Sequence, residues 1–81
     1  MTAIFVLDVP ENEGVVRVAE QDASLQVEKV GPYFRIAGDR EIVIDRRATG
    51  CRHAVWYSAL AGLQDARIVQ HDKDALRVMA S

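Results

Sequence analysis

Cys51, His53 and His71 are the only cysteine and histidine residues in the chain, so any soft-ligand metal site or thiol–imidazole pair must be built from them. A structural zinc site takes four ligands, usually in close pairs, and a catalytic one takes three with supporting partners. One cysteine and two histidines reach neither arrangement unless carboxylates join them. Cys51 and His53 could also serve as nucleophile and base. Side chains two apart on a helix point in different directions, however, and no third residue or oxyanion donor accompanies them. Asp8, Glu11 and Glu13 gather at an expected helix start, where the dipole favours negative charge. Asp72 and Asp74 flank Lys73 in an expected turn. Gly31, Gly38, Gly50 and Gly62 stand singly, which is not the pattern of a phosphate-binding loop. No residue is therefore assigned to catalysis, a cofactor or a metal. Cys51 is expected as a half-buried thiol near a helix start, with His53 and His71 at the surface.

Recognition chemistry is better represented. Arg46-Arg47, with Arg40 and Arg52 close by, is the one concentration of basic charge. Guanidinium groups form bidentate pairs with carboxylates on an acidic partner; the other reading of this run is a solvated strand end. Tyr33 and Arg35 fall on one face of an alternating stretch. Tyr57, turned about 100° on a helix from Trp56, is expected at the surface while Trp56 enters the core. Exposed Tyr and Arg are the residue types that dominate protein interfaces. Tyr33, Arg35, Arg46, Arg47 and Tyr57 are the candidate partner-binding residues.

The elements that must position these residues can be read from periodicity. Ala3–Leu7 is a continuous apolar run suited to a buried strand. Asp8 is placed to cap the helix that follows, with Pro10 in its first turn and Glu11 at capping-box spacing. From Pro10 to about Gln21, Val15, Val18 and Ala19 recur at helical spacing. "SLQVEKV", "YFRIA" and "EIVID" alternate as strands. Gly31-Pro32 breaks the first pair at a bulge, a turn or an edge, and Ala37–Arg40 reads as a hairpin loop. Phe34 and Ile36 then face Ile42 and Ile44.

Thr49 and Gly62 bound a second helix, with Trp56, Leu60 and Leu63 on one stripe. "ARIVQ" and "ALRVM" close the chain as a hairpin around His71–Asp74. The expected fold is α+β, β-α-β-β-β-α-β-β, with two helices packed on a mostly antiparallel sheet in a single domain over residues 1–81. The expected core is Phe5, Leu7, Leu25, Val27, Phe34, Ile36, Ile42, Ile44, Trp56, Leu60, Ile68 and Val78.

Composition narrows the function classes. Ten basic against twelve acidic residues leave a formal charge of −2, which argues against a nucleic-acid binder, since that needs a basic face to displace counterions. A lone cysteine forms no internal disulfide, and the N-terminal residues lack the basic start and long apolar run of a signal peptide. No apolar run approaches the ~18 residues of a membrane span. The expectation is a cytoplasmic protein, monomeric or a weak homodimer.

The stretch "LQVEKVGPYFRIAGDREIVIDRRAT" resembles the middle of the effector, or coupling, proteins of soluble bacterial multicomponent diiron monooxygenases. Phenol hydroxylase coupling proteins and methane monooxygenase regulatory proteins are of this type. The shared features are a polar strand, a short break, a strand shaped like "YFRI", a hairpin, and a strand ending in "RRAT" before a helix. "WYSALAGLQDARIVQHDKDALRV" is similar to the family's ending. The resemblance implies a cofactor-free regulatory protein with no chemistry of its own. Such a protein binds the diiron hydroxylase component and alters access of substrate, oxygen or electrons to the buried metal site. The alternatives are a general interaction module or small subunit of another complex, and a small enzyme or metal protein built on Cys51, His53 and His71.

Overall fold

The computed structural model describes residues 1–81. The chain runs β1 (Thr2–Leu7), a 3-10 turn (Pro10–Asn12), α1 (Glu13–Gln21), β2 (Gln26–Val30), β3 (Tyr33–Gly38) and β4 (Glu41–Asp45). It continues through α2 (Arg46–Thr49), α3 (His53–Ser58), β5 (Leu60–Gln64), β6 (Ala66–His71) and β7 (Ala75–Ala80). The α+β class expected from sequence is the class observed, and every strand pair is antiparallel.

The strands form two sheets, a four-stranded one in the order β2-β3-β1-β5 and a three-stranded one in the order β4-β7-β6. This corrects the expected β3–β4 hairpin. Asp39-Arg40 is a corner where the chain leaves one sheet and enters the other. The Arg40 carbonyl holds that corner, accepting from the Thr2 hydroxyl in one sheet (3.3 Å) and the Ala80 N–H beside the other (2.9 Å). Asp65, at φ 51°, makes the matching corner between β5 and β6.

Gly31-Pro32 resolves as a turn. Gly31 adopts φ 57°, and the Pro32 ring fixes its own φ negative. This is the type II′ combination that suits a two-residue hairpin, and Val30 accordingly pairs with Tyr33. The second hairpin, β6–β7, turns at His71–Asp74 as expected.

The core lies between the sheets. Ile4, Val6 and Ile36 from the larger sheet meet Ile42, Ile44, Leu76 and Val78 from the smaller one. Val15, Val16 and Ala19 of α1 close one side, and Trp56 of α3 enters from another. Six of the twelve expected core residues are buried: Leu25, Ile36, Ile42, Ile44, Trp56 and Val78. Val27, Phe34 and Leu60 are half-buried against that cluster.

Phe5, Leu7 and Ile68 are corrections. β1 turns Ile4 and Val6 inward, so Phe5 and Leu7 face out, and Leu7 is 39% exposed. Ile68 sits on edge strand β6, where nothing covers it.

The second helical region is also corrected. It divides into α2 and α3, Thr49 ends α2 rather than starting a helix, and Leu60–Gln64 is strand. Asp8 makes no cap; its carboxylate pairs with Lys29 at 3.1 Å, and Val9 and Asn12 occupy the cap positions without a side-chain capping bond, the Asn12 Nδ2 donating instead to the Leu7 carbonyl at 2.9 Å. No helix is long and apolar enough to cross a membrane.

Candidate functional site

Register decides which side chains share the outer face of the four-stranded sheet. Side chains alternate along a strand while directly paired residues lie on one side. One row across the sheet is Glu28–Arg35–Phe5–Gly62, and the next is Val30–Tyr33–Leu7. No helix covers these rows, because α1 directs its apolar residues into the core and α3 inserts Trp56 there.

The face is apolar at one end and polar at the other. Phe5 and Tyr33 meet edge to face, with ring centroids 6.4 Å apart, the geometry the ring quadrupoles favour. The Phe5 ring lies over Gly62, where a side chain would otherwise stand. Leu7, Val30 and Tyr33 are between 36% and 43% exposed, so this is a surface cluster rather than a submerged one. A groove of about 320 Å³ continues it toward α3, lined by Leu7, Val9, Tyr33, Val55, Ala59 and Ala61 among others.

At the polar end, Arg35 is fixed from two sides. Its Nε donates to Gln64 Oε1 at 2.9 Å and its Nη1 to Glu28 Oε1 at 3.3 Å. Gln64 pairs with Ala3 on the far side of β1, so the Arg35 side chain must cross the sheet over that small residue. The guanidinium is thereby held between two strands that flank β3 and β1. Exposed ion pairs add little stability, and the effect here is one of placement.

The structure divides the five expected partner residues. Tyr33 and Arg35 share the sheet face. Arg46 is half-buried and committed to the backbone: its Nε donates to the Lys73 carbonyl, its Nη1 to the Cys51 carbonyl at 3.4 Å, and its own N–H to the Asp74 carbonyl. Arg47, on the same short helix, is exposed, and its backbone carbonyl accepts from the Gly50 N–H at 3.2 Å. Tyr57 is 48% exposed and packs its ring 5.2 Å from His71.

His71 corrects one expectation, since it is half-buried between Tyr57 and Trp56, 5.7 Å from the indole. Cys51 is buried, with its thiol 3.9 Å from the Glu11 carbonyl, while His53 is exposed on α3. The three side chains that could have formed a metal or nucleophile site point to different surroundings.

The β6–β7 tip positions this second group. Asp72 accepts from the N–H groups of Ala75 (3.0 Å) and Asp74 (2.9 Å), which hold its carboxyl below the ordinary 3.8. The Asp72 carbonyl accepts from Trp56 Nε1 at 2.7 Å. α2 is fixed to the tip by Arg46, and α3 by Trp56.

Sequence reasoning missed Phe5, Leu7 and Val30 as surface residues. The apolar run Ala3–Leu7 has no polar member to mark its outer side. Comparison with family models and with curated proteins finds no match to this chain.

Proposed function

We propose that this protein is a cytoplasmic, non-catalytic effector that docks on the diiron hydroxylase of a multicomponent monooxygenase and shifts its conformational population. The observation that carries this reading is the uncovered face of the four-stranded sheet, where the Phe5–Tyr33 pair lies beside an Arg35 held by Glu28 and Gln64. Two strands of that sheet, β2 and β3, lie within the stretch that resembles the effector family.

A rigid sheet face suits such a role because its contact residues lose little freedom on binding. Aromatic and arginine side chains in a desolvated patch each contribute up to a few kcal/mol as hot spots. An effector needs only to bind one hydroxylase conformation better than another; a difference of about 3 kcal/mol shifts the equilibrium on the order of 10²-fold.

The test is reconstitution with a diiron hydroxylase and its reductase, whose genes this reading expects beside its own. Adding the protein should change turnover or the ratio of product formed to NADH consumed, rising to a plateau with stoichiometry. Tyr33→Ala should raise the half-saturating concentration roughly tenfold or more while the plateau stays the same. No effect at any stoichiometry would sink the proposal.

A further inference from the structure

We infer that β6 is a self-association edge, pairing antiparallel with β6 of a second copy and joining the two three-stranded sheets into one. β6 ends its sheet in the order β4-β7-β6, and no backbone bond from a turn or loop reaches residues 66–71. Such a row of unpaired N–H and C=O groups is a template for another strand. Ile68 falls on the inner row with Ile42 and Val78, which are fully buried, yet at the open end of that row it is 44% exposed. Val69 pairs with no residue of β7, because a bulge lies between Ile68 and Gln70, and it is exposed as well.

Charge selects the second copy as the occupant. From Ala66 to Asp72 the only guanidinium is Arg67 and the only carboxylate is Asp72, both exposed. Arg67 takes part in none of the molecule's three ion pairs. It lies on the outer row with Met79 and Glu41. Asp72 is on that same side, since Gln70, from the next outer row, donates its Nε2 to Asp72 Oδ2 at 3.0 Å. A two-fold axis between Val69 and Gln70 sets Arg67 opposite Asp72 of the second copy and repeats the contact in reverse. The Asp74 and Ala75 N–H groups both go to Asp72 Oδ1, so Oδ2 keeps a lone pair for the guanidinium. Pairing stops there, because the chain turns away at Asp65 and after Asp72.

The other sheet edges lack this self-complementarity. β4 carries only acids, Glu41 and Asp45, which two antiparallel copies would set against each other. The charges of β2 are already paired, Glu28 with Arg35 and Lys29 with Asp8, and β5 has no charge to fix a register. A strand of six residues is small beside the roughly 1,200–2,000 Å² of a stable interface, so the dimer is weak, with Kd on the order of 100 µM. The observations are separate from those on the face of the larger sheet, and the test involves no hydroxylase, so this inference and the effector reading can fail independently.

Sedimentation equilibrium of the whole protein, from about 10 µM to about 1 mM, should show a monomer–dimer equilibrium. Ile68→Lys places a charge at the pairing edge and should raise the dissociation constant roughly tenfold or more. Val43→Lys, at a similarly exposed site on β4, should change it less than about twofold. Arg67→Glu sets two carboxylates opposite each other and should weaken the dimer roughly three- to tenfold. Arg47→Glu makes the same charge change on α2 and should weaken it less than about twofold. Circular dichroism checks that each variant stays folded, and the Arg67 pair of variants decides the matter if Ile68→Lys does not. The inference is overturned if the chain stays monomeric throughout, if the two lysine variants act alike, or if the two glutamate variants do.

Discussion

Asp72 shows how much one exposed side chain can organise. Its carboxylate accepts from the Ala75 and Asp74 N–H groups, and both bonds favour the charged form, so its pKa lies below the ordinary 3.8. A carboxyl lowered on folding stabilises the fold above its unfolded pKa, and that contribution is lost as pH falls through the folded value. Asp22, lowered by the Ser24 hydroxyl and N–H, acts with the same sign at the end of α1. Because Trp56 Nε1 donates to the Asp72 carbonyl, acidification below about pH 4 should red-shift Trp56 emission before helix and strand signals are lost. Asp72→Asn keeps an acceptor without the titration and should abolish that early shift. Arg35→Lys is the matching test on the sheet face. A lysine cannot hold Glu28 and Gln64 together, so thermal stability should change by less than about 1 kcal/mol while half-saturation of the hydroxylase moves several-fold.

Helix α1 and strand β5 both depart from what their residues favour locally. Gly14 costs a helix roughly 1 kcal/mol relative to alanine, yet a β-carbon there would overlap the Thr49 carbonyl oxygen. The glycine lets the end of α2 rest directly on α1, and Arg17, one turn on, donates to the same carbonyl. Gly14→Ala should therefore destabilise by roughly 1–3 kcal/mol, opposite in sign to its helix propensity, as a thermal melt would show. Gly62→Ala is the contrast. Its β-carbon would meet Phe5 at an ordinary 3.7 Å, and its melting temperature should stay close to that of the parent. Leu60–Gln64 contains good helix formers but pairs with β1, whose edge would otherwise present unsatisfied N–H and C=O groups.

The two sheets are separate hydrogen-bonded units that share one core, so neither has an interior without the other. An 81-residue domain has a total stability of about 4–12 kcal/mol, and Ile4→Ala or Ile42→Ala should remove about 2–5 kcal/mol of it. Although Ile4 and Ile42 lie in different sheets, each variant should shift denaturation by far-UV circular dichroism and by Trp56 fluorescence to the same extent. Transitions that separate by probe would show that the sheets unfold independently. At this scale the molecule leaves one face of the larger sheet uncovered, and bonds that cross between strands fix its side chains.

The residues by themselves determined the class, six of the seven strands, the first helix and the turn at His71–Asp74, and they marked Gly31-Pro32 as a break that could be a bulge, a turn or an edge. These depend on alternation, helical spacing and turn chemistry, which act between near neighbours. The opposed faces of β3, with Tyr33 and Arg35 out and Phe34 and Ile36 in, were legible for the same reason. Tertiary structure decided that Phe5 and Leu7 face outward, that β4 pairs with β7 across a corner, that Leu60–Gln64 extends, and that Arg17 joins α2. Each of those outcomes depends on which distant backbone edge needs a hydrogen-bond partner and which apolar surface needs cover, and neither is encoded in local spacing.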